Sequence, residues 1–380
     1  MGPALTAVVI GAGFAGEGHT LALRHCGVEV AAICARNPEV VRTVADRLGV
    51  PQASTDWRAT LRQVRPSIVC IGTPAALRGA VVEEAVALGA HVLCDKPLAL
   101  RGAEAGRLYG LVDRAGVKHA YASTFRYDPS VAWLAELVRE GRIGRLVEIE
   151  ASTRHASPPA TMAWSWWFDP SQGGGLLQNG FTHTLGILSR ICGAPPVRAV
   201  GDTQMVAVQA PVVEELLHDF RQWRRKRLSP EEMQGRQWRE GEIEKAYHAL
   251  VAFGADGHEV QAAVTFNSGI PVNWPSGGLR LFGDAGTLVA TGDGGVYSVS
   301  LRRPGGSEAE ALPVPARLAE RVTSEAGLAE QSRWDAFARD FVADVRGAAH
   351  EPYPTFLDGW KYQVAIDAVR EGAGWTEVPG

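Results

Sequence analysis

Two short stretches carry residues whose types and spacing could do chemistry. Gly11-Ala12-Gly13-Phe14-Ala15-Gly16 reads GxGxxG. The first glycine of such a turn permits a tight bend, the second lets a diphosphate approach the backbone, and the third lets a helix pack on a strand. A helix starting there offers free N–H groups and the positive end of its dipole to an anion. The second stretch, Cys94-Asp95-Lys96-Pro97, ends an apolar run on two opposite charges and a rigid ring. Ligands of open parallel sheets bind outside the carboxyl ends of the strands. Lys96, placed there, can reach a nicotinamide and a substrate together and share in proton transfer. From this motif alone the competing reading is a Lys–Asp surface pair at a turn.

The elements that must position these residues alternate through the first third. "TAVVIGAG", "VEVAAICA", "SIVCIGTP" and "AHVLCDKP" read as strands, separated by helical patterns such as "NPEVVRTVADRLG". Strand–helix alternation implies βαβ units, and near-continuous apolar strands imply a parallel sheet covered on both faces. The fold class expected is α/β: an N-terminal Rossmann doubly wound sheet over residues 1–125, then an α+β domain with a large open, mostly antiparallel sheet over 126–380. In that second part "RLVEIEASTRH", "AYHALVAFG", "HEVQAAVTFNSG", "LRLFGDAGTLVATG" and "GVYSVSLRRPG" read as strands. A charged insertion is expected at about 211–245, with Leu216, Leu217, Phe220 and Trp223 at helical spacing.

Composition narrows the class. The 380 residues are 46% apolar and 21% charged with net charge −4, enough for two domains and without the basic excess of a nucleic-acid or membrane-surface binder. Five widely spaced cysteines without a CxxC pair fit reduced thiols in a cytoplasmic protein. No metal site and no membrane span is expected.

Cofactor choice is read at the end of the second strand. An acid there would accept hydrogen bonds from the ribose 2′-OH of NAD. The sequence has Ala35 and Arg36 instead, and a guanidinium suits a 2′-phosphate. NADP(H) is favoured, with NAD(H) as the alternative.

The combination resembles the Gfo/Idh/MocA family of oxidoreductases. The resemblance runs through "VIGAGFAG", "GTP" at 72–74, "GAHVLCDKPLAL", "FRYDP" at 125–129, "GRIGRLVEIE", "WWFDPSQGGGLLQNGFTH" at 166–183, "FGDAGTL" and "YPTFLDGWKYQVAIDAV". It implies that Gly11, Gly13, Phe14, Ala15, Gly16, Ala35, Arg36, Thr73, Pro74, Asp95, Lys96 and Pro97 hold the cofactor, with the Lys96–Pro97 bond often cis in relatives. It implies that His183 and Lys96 move the substrate proton. The family's acid, four residues before that histidine, is here Asn179, which can orient a neighbour but cannot act as a base. The i, i+4 spacing puts Asn179 and His183 on one face of a helix. Other departures are Arg78 for a common histidine, Gly186 for a common acid and Trp167 for a common arginine. Trp166 and Trp167 are expected as walls of the substrate pocket, with Arg126 and His155 as weaker substrate contacts.

The resemblance implies an NAD(P)-dependent oxidoreductase that moves a hydride between the nicotinamide and a hydroxyl or keto carbon of a sugar, cyclitol or related polyhydroxylated molecule. It also implies a homodimer or homotetramer built on the open sheet. Two competing functions are an NAD-assisted glycosidase, working by oxidation and elimination with net hydrolysis, and a non-catalytic cofactor or sugar sensor.

Overall fold

Four neighbouring strands of one sheet are built mostly from small and branched apolar side chains, and they form the centre of a six-stranded parallel sheet. A computed structural model describes residues 4–156, 161–214, 223, 226–255, 257–270, 277–306, 308–322 and 329–380. Strands β1 (Thr6–Ile10), β2 (Glu29–Cys34), β3 (Gln52–Ser54), β4 (Ile68–Ile71), β5 (His91–Asp95) and β6 (His119–Ala122) lie in the order β3-β2-β1-β4-β5-β6. Every residue of β4 is fully buried, because helices cover both faces. These include α1 (Phe14–His25), α2 (Pro38–Leu48), α3 (Trp57–Val64), α4 (Arg78–Ala87) and α5 (Gly102–Ala115). The strand order reverses beside β1, so the carboxyl ends of β1, β2, β4 and β5 open on one crevice.

After α6 (Pro129–Arg139) the chain builds a nine-stranded sheet. Its strands are β7 (Leu146–Ala156), β8 (Pro196–Pro211), β9 (Trp238–Ala255), β10 (His258–Ile270), β11 (Gly278–Gly283), β12 (Gly286–Asp293), β13 (Val296–Arg302), β14 (Glu310–Ala311) and β15 (Thr376–Glu377). They run in the order β14-β13-β12-β11-β7-β10-β9-β8-β15, antiparallel except where β10 pairs parallel with β7. The α/β class expected from sequence is borne out. On β10, Val260, Ala262, Val264 and Phe266 are buried toward α7 (Thr182–Cys192) and the helix Phe356–Glu371, while the alternate residues face away. The helix Ala329–Val345 returns to α1, and its Phe337 and Phe341 join the apolar core under β1.

The segment 211–245 differs from its expected form. Pro211 ends β8 and residues 238–245 belong to β9, paired from Pro211↔Trp238 onward. The two long strands extend past the sheet body, and only their connection is an insertion. Leu216, Leu217 and Phe220 lie outside the described residues. Trp223 is buried, and its indole N–H donates to Ala163 O at 2.7 Å. Among the described residues no helix is long and apolar enough to cross a membrane.

Candidate active site

A single cleft of about 1340 Å³ runs from the glycine turn to the second sheet. At one end β1 delivers Gly11, whose N–H donates to Cys34 O at 2.8 Å. Gly11 has φ +119°, and a side chain there would also stand 2.7 Å from Gly72 O. A Cβ on Gly16 would lie 1.8 Å from Gly11 O, so helix and turn are in backbone contact. Gly13 differs: a Cβ there would meet nothing within 4 Å and would stand at the edge of the cleft. Helix α1 begins at Phe14 without a side-chain cap on its first N–H groups. An open glycine, an uncapped helix end and flanking Phe14 and Ala15 fit a diphosphate. Thr73 and Pro74 at the end of β4 line the same end.

Farther out, Ala35 and Arg36 follow β2, and Asn37 caps α2 by accepting from Glu39 N and Val40 N at 2.9 and 3.1 Å. Arg58, which the sequence reading passed over, lies with its guanidinium 4.3 Å from the Trp57 ring centroid. Arg36, Trp57 and Arg58 all line the cleft. The acids lining it among the described residues are Asp95 and Glu330, neither on β2.

The exit of β5 is shaped by Arg78. This buried guanidinium donates to Thr73 O at 2.9 and 2.6 Å and to Lys96 O at 3.1 Å, and it also contacts Asp95 O and Pro97 O. One cation therefore gathers the carbonyls of two strand-end loops. The Lys96–Pro97 bond is cis. Burial pushes the Asp95 carboxyl up, but the hydrogen bond from His19 at 3.3 Å and the charges of Arg78 and Lys96 outweigh it and hold it at about 2.

The opposite wall comes from the triple glycine. A Cβ on Gly174 would lie 2.5 Å from both Trp166 O and Trp167 O. Residues Leu177–Phe181 form a π-helical turn, not the plain α-helix that the i, i+4 spacing predicts, before α7 continues. Such turns are frequent at functional sites. Asn179 Nδ2 donates to Gly173 O at 2.8 Å and Gly175 O at 3.0 Å, while its Oδ1 accepts from Lys96 Nζ at 3.3 Å. His183 stacks on Phe125, ring centroids 3.8 Å apart and planes at 8°. Burial, then the charge of Lys96 and last that of Arg333 push the imidazole well below its ordinary value, with Asp95 acting the other way. Lys96, Asn179 and His183 thus line one cleft with the glycine turn.

Trp166 and Trp167 line the cleft, edge to face with centroids 5.9 Å apart, whereas Trp164 and Phe168 are packed in an apolar cluster behind them. Trp223 and Arg227 from the β8–β9 connection complete that wall. Arg126 does not line the cleft; its buried Nε lies in a polar region with Tyr362 and Arg190. His155 lies on β7, and its side chain is outside the described residues. Gly186 packs against Ser123, whose Oγ would be 2.1 Å from an added Cβ. Arg333 and Trp334 are cleft residues that no local pattern announces, and Arg333 meets Phe125 of the "FRYDP" stretch from two hundred residues away.

Residues 5–123 match a family model described as "Oxidoreductase family, NAD-binding Rossmann fold", GFO_IDH_MocA, and residues 131–289 match the GFO/IDH/MocA C-terminal domain. The chain is 30% identical over 196 residues to levoglucosan dehydrogenase of Pseudarthrobacter phenanthrenivorans, covering 49% of this chain and 50% of that protein. It is 29% identical over 167 residues to D-xylose 1-dehydrogenase (NADP(+)) 2 of Haloferax volcanii, covering 44% of this chain and 50% of that one. The chain spans about half the length of the curated relatives it matches. Among solved structures, levoglucosan dehydrogenase in complex with NADH and levoglucosan superposes with TM-score 0.78 at 21% identity, over 100% of both chains.

Proposed function

The chain belongs to the GFO/IDH/MocA oxidoreductase family, and we propose that it is a pyridine-nucleotide-dependent dehydrogenase of a sugar, cyclitol or related polyhydroxylated molecule. The observation that carries this is that Lys96 from one wall meets Asn179 and His183 of the facing wall in the cleft that begins at the glycine turn. The nicotinamide, when bound, accepts or returns a hydride. The chain's own residues handle the proton. His183, kept neutral by burial and by Lys96, is in the form that accepts a hydroxyl proton. The Lys96 ammonium holds the reacting oxygen and favours its charge as the proton leaves. Asn179 fixes the lysine by its carbonyl oxygen. Trp166 and Trp167 offer flat apolar faces to a ring.

The preferred cofactor in this reading is NADP(H). Arg36 and Arg58 line the outer end of the cleft, and no acid lines it at the end of β2. A direct comparison of NADPH and NADH binding checks this, and equal or tighter NADH binding would defeat it. The function is tested with a panel of sugars, cyclitols and glycosides plus oxidised cofactor. Stoichiometric reduced cofactor is the expected result. Glycoside cleavage without net reduction would replace the reading with hydrolysis. Cofactor binding without turnover of any panel member would replace it with a sensor.

A further inference from the structure

Arg333 bears on the chemistry above only through its charge, the smallest of those acting on His183, yet its position is costly. It projects from the helix Ala329–Val345 into the cleft wall and is only 7% exposed. Its Nη1 donates to Gly294 O at 2.8 Å, and its guanidinium lies 4.5 Å from the centroid of the Phe125 ring. Among the described residues no carboxylate lies within ion-pair distance of it; Asp128 and Glu330 act on it only from farther away. A cation taken out of water without a counter-charge is unfavourable, and a single ring face offsets part of that cost. The buried Nε atoms of Arg126 and Arg190 are sealed and partnerless, but none of Arg333's remaining N–H groups is sealed in this way. They keep access to the cleft.

The location favours the substrate over the cofactor's diphosphate. Phe125 is shared: His183 stacks on one partner side and Arg333 contacts the same ring, so Arg333 belongs to the reacting end. The helix that carries Arg333 also reaches the glycine turn, where Trp334 meets Phe14 edge to face at 5.1 Å, but a diphosphate there has the open Gly13 and α1's uncapped amides to serve it. The charged lining includes Lys96, Arg227 and Arg333 against Asp95 and Glu330, and of the two acids Asp95 is engaged by His19 and Arg78. A guanidinium with free N–H edges matches the two oxygens of a carboxylate.

We propose that Arg333 recognises a carboxylate on the substrate, so that the polyhydroxylated molecule is a sugar acid, a uronate or aldonate, and not its neutral parent. This rests on the dehydrogenase reading for turnover, but not for binding. The experiment measures binding of a panel of hexuronates and aldonates, and of their neutral parents, to the NADP⁺-loaded protein by calorimetry, with turnover followed in parallel. At least one acid should bind and react better than its neutral parent by a factor of about 10–100, the scale of a charge-assisted contact. Arg333→Gln should collapse that acid-to-neutral ratio, and Arg333→Lys should keep part of it. No acid preferred over its parent in the unmodified protein would overturn the proposal, whether or not the variants fold. So would an unchanged ratio in Arg333→Gln, which would assign the arginine to supporting Phe125 and His183, or weakened NADP⁺ binding as that variant's only defect. Acid preference in binding with no turnover of any panel member would keep the carboxylate site and remove the dehydrogenase reading.

Discussion

Asn179 makes three contacts that a carboxylate could not make together. Its amide nitrogen gives hydrogen bonds to Gly173 O and Gly175 O, and its amide oxygen takes one from Lys96. An aspartate would turn an oxygen toward two carbonyl oxygens at the same distances, a buried like-with-like contact. Asn179→Asp is therefore expected to lose about 1–3 kcal/mol of stability at neutral pH, the cost of a buried group left unpaired, and to lower kcat. The new carboxyl would be held neutral to a higher pH in the folded protein than in the unfolded chain. The stability deficit should therefore grow as pH rises through that folded value and shrink in acid. Urea unfolding against pH measures it, and an equally stable, equally active variant would remove the argument. Lys96→Ala and His183→Ala should each lower kcat by roughly 10²–10⁴, the usual range for acid–base groups, with little change in cofactor binding. His183 adds a pH signature. Its imidazole is depressed by burial and by Lys96, so it stays neutral below the ordinary 6.5. The acid limb of kcat/KM should lie below pH 6.5, and the residual activity of Lys96→Gln should show it moved upward. A limb at or above 6.5 in the unmodified protein would count against His183 as the proton acceptor.

At the scale of elements, three glycines in one turn do three different things, and substitution can separate them. Gly13→Ala places a methyl in open space and should leave thermal stability almost unchanged while weakening cofactor binding by about tenfold or more, because that space is where a diphosphate approaches. Gly16→Ala drives a methyl into Gly11 O and should destabilise the fold by several kcal/mol, in the range of severe core overpacking. Comparable unfolding midpoints for the two variants would contradict this division. The turn itself was legible in sequence because strand, glycines and helix are contiguous there. So were the apolar runs of β1, β2, β4 and β5. Strand β8 was not, since its middle is solvent-facing and carries Asp202, Thr203 and Gln204, which blur the alternation a half-buried strand should show. β6 is only His-Ala-Tyr-Ala, too short to stand out. The π-helical turn at 177–181 has no period that a 3.6-residue reading could find, and the parallel β7–β10 pair is a long-range register that local patterns do not encode. The cleft was half legible. Lys96, Phe125, His183, Trp166 and Trp167 stand in motifs, whereas Arg58 lies in an unremarkable helix and Arg333 becomes a neighbour of the site only through the chain's return from the second sheet to the first.

The whole molecule is held by an apolar core that crosses from one sheet to the other: Val8 and Ile71 of the first belong to the same cluster as Ile149, Val251 and Val264 of the second. That cluster covers one face of the nine-stranded sheet. Among the described residues no helix forms a layer over the central strands of its other face. A single cross-strand row there reads Val200, Leu250, Ala263, Glu150, Arg280 and Val289, in register from β8 through β12. Leu250 is 43% exposed, and Met205 and Val206, farther along β8, are 43% and 38% exposed. Glu150 and Arg280 pair at 2.9 Å within the row, so its charge is balanced internally and its ends are apolar. A broad flat face of this kind, large and partly apolar, is the sort of surface that marks a protein–protein contact. A second copy of the chain can cover it symmetrically, since a face that is self-complementary in charge suits a two-fold contact. The protein is therefore expected to be a dimer or tetramer in solution through this face. Leu250→Arg, far from the cleft, places a charge in the middle of the row and should shift the sedimenting species toward monomer at micromolar concentration. Cofactor binding should survive, because the glycine turn lies in the other sheet. A monomer for the unmodified chain at micromolar concentration, or an unchanged oligomer in Leu250→Arg, would place the contact elsewhere or remove it.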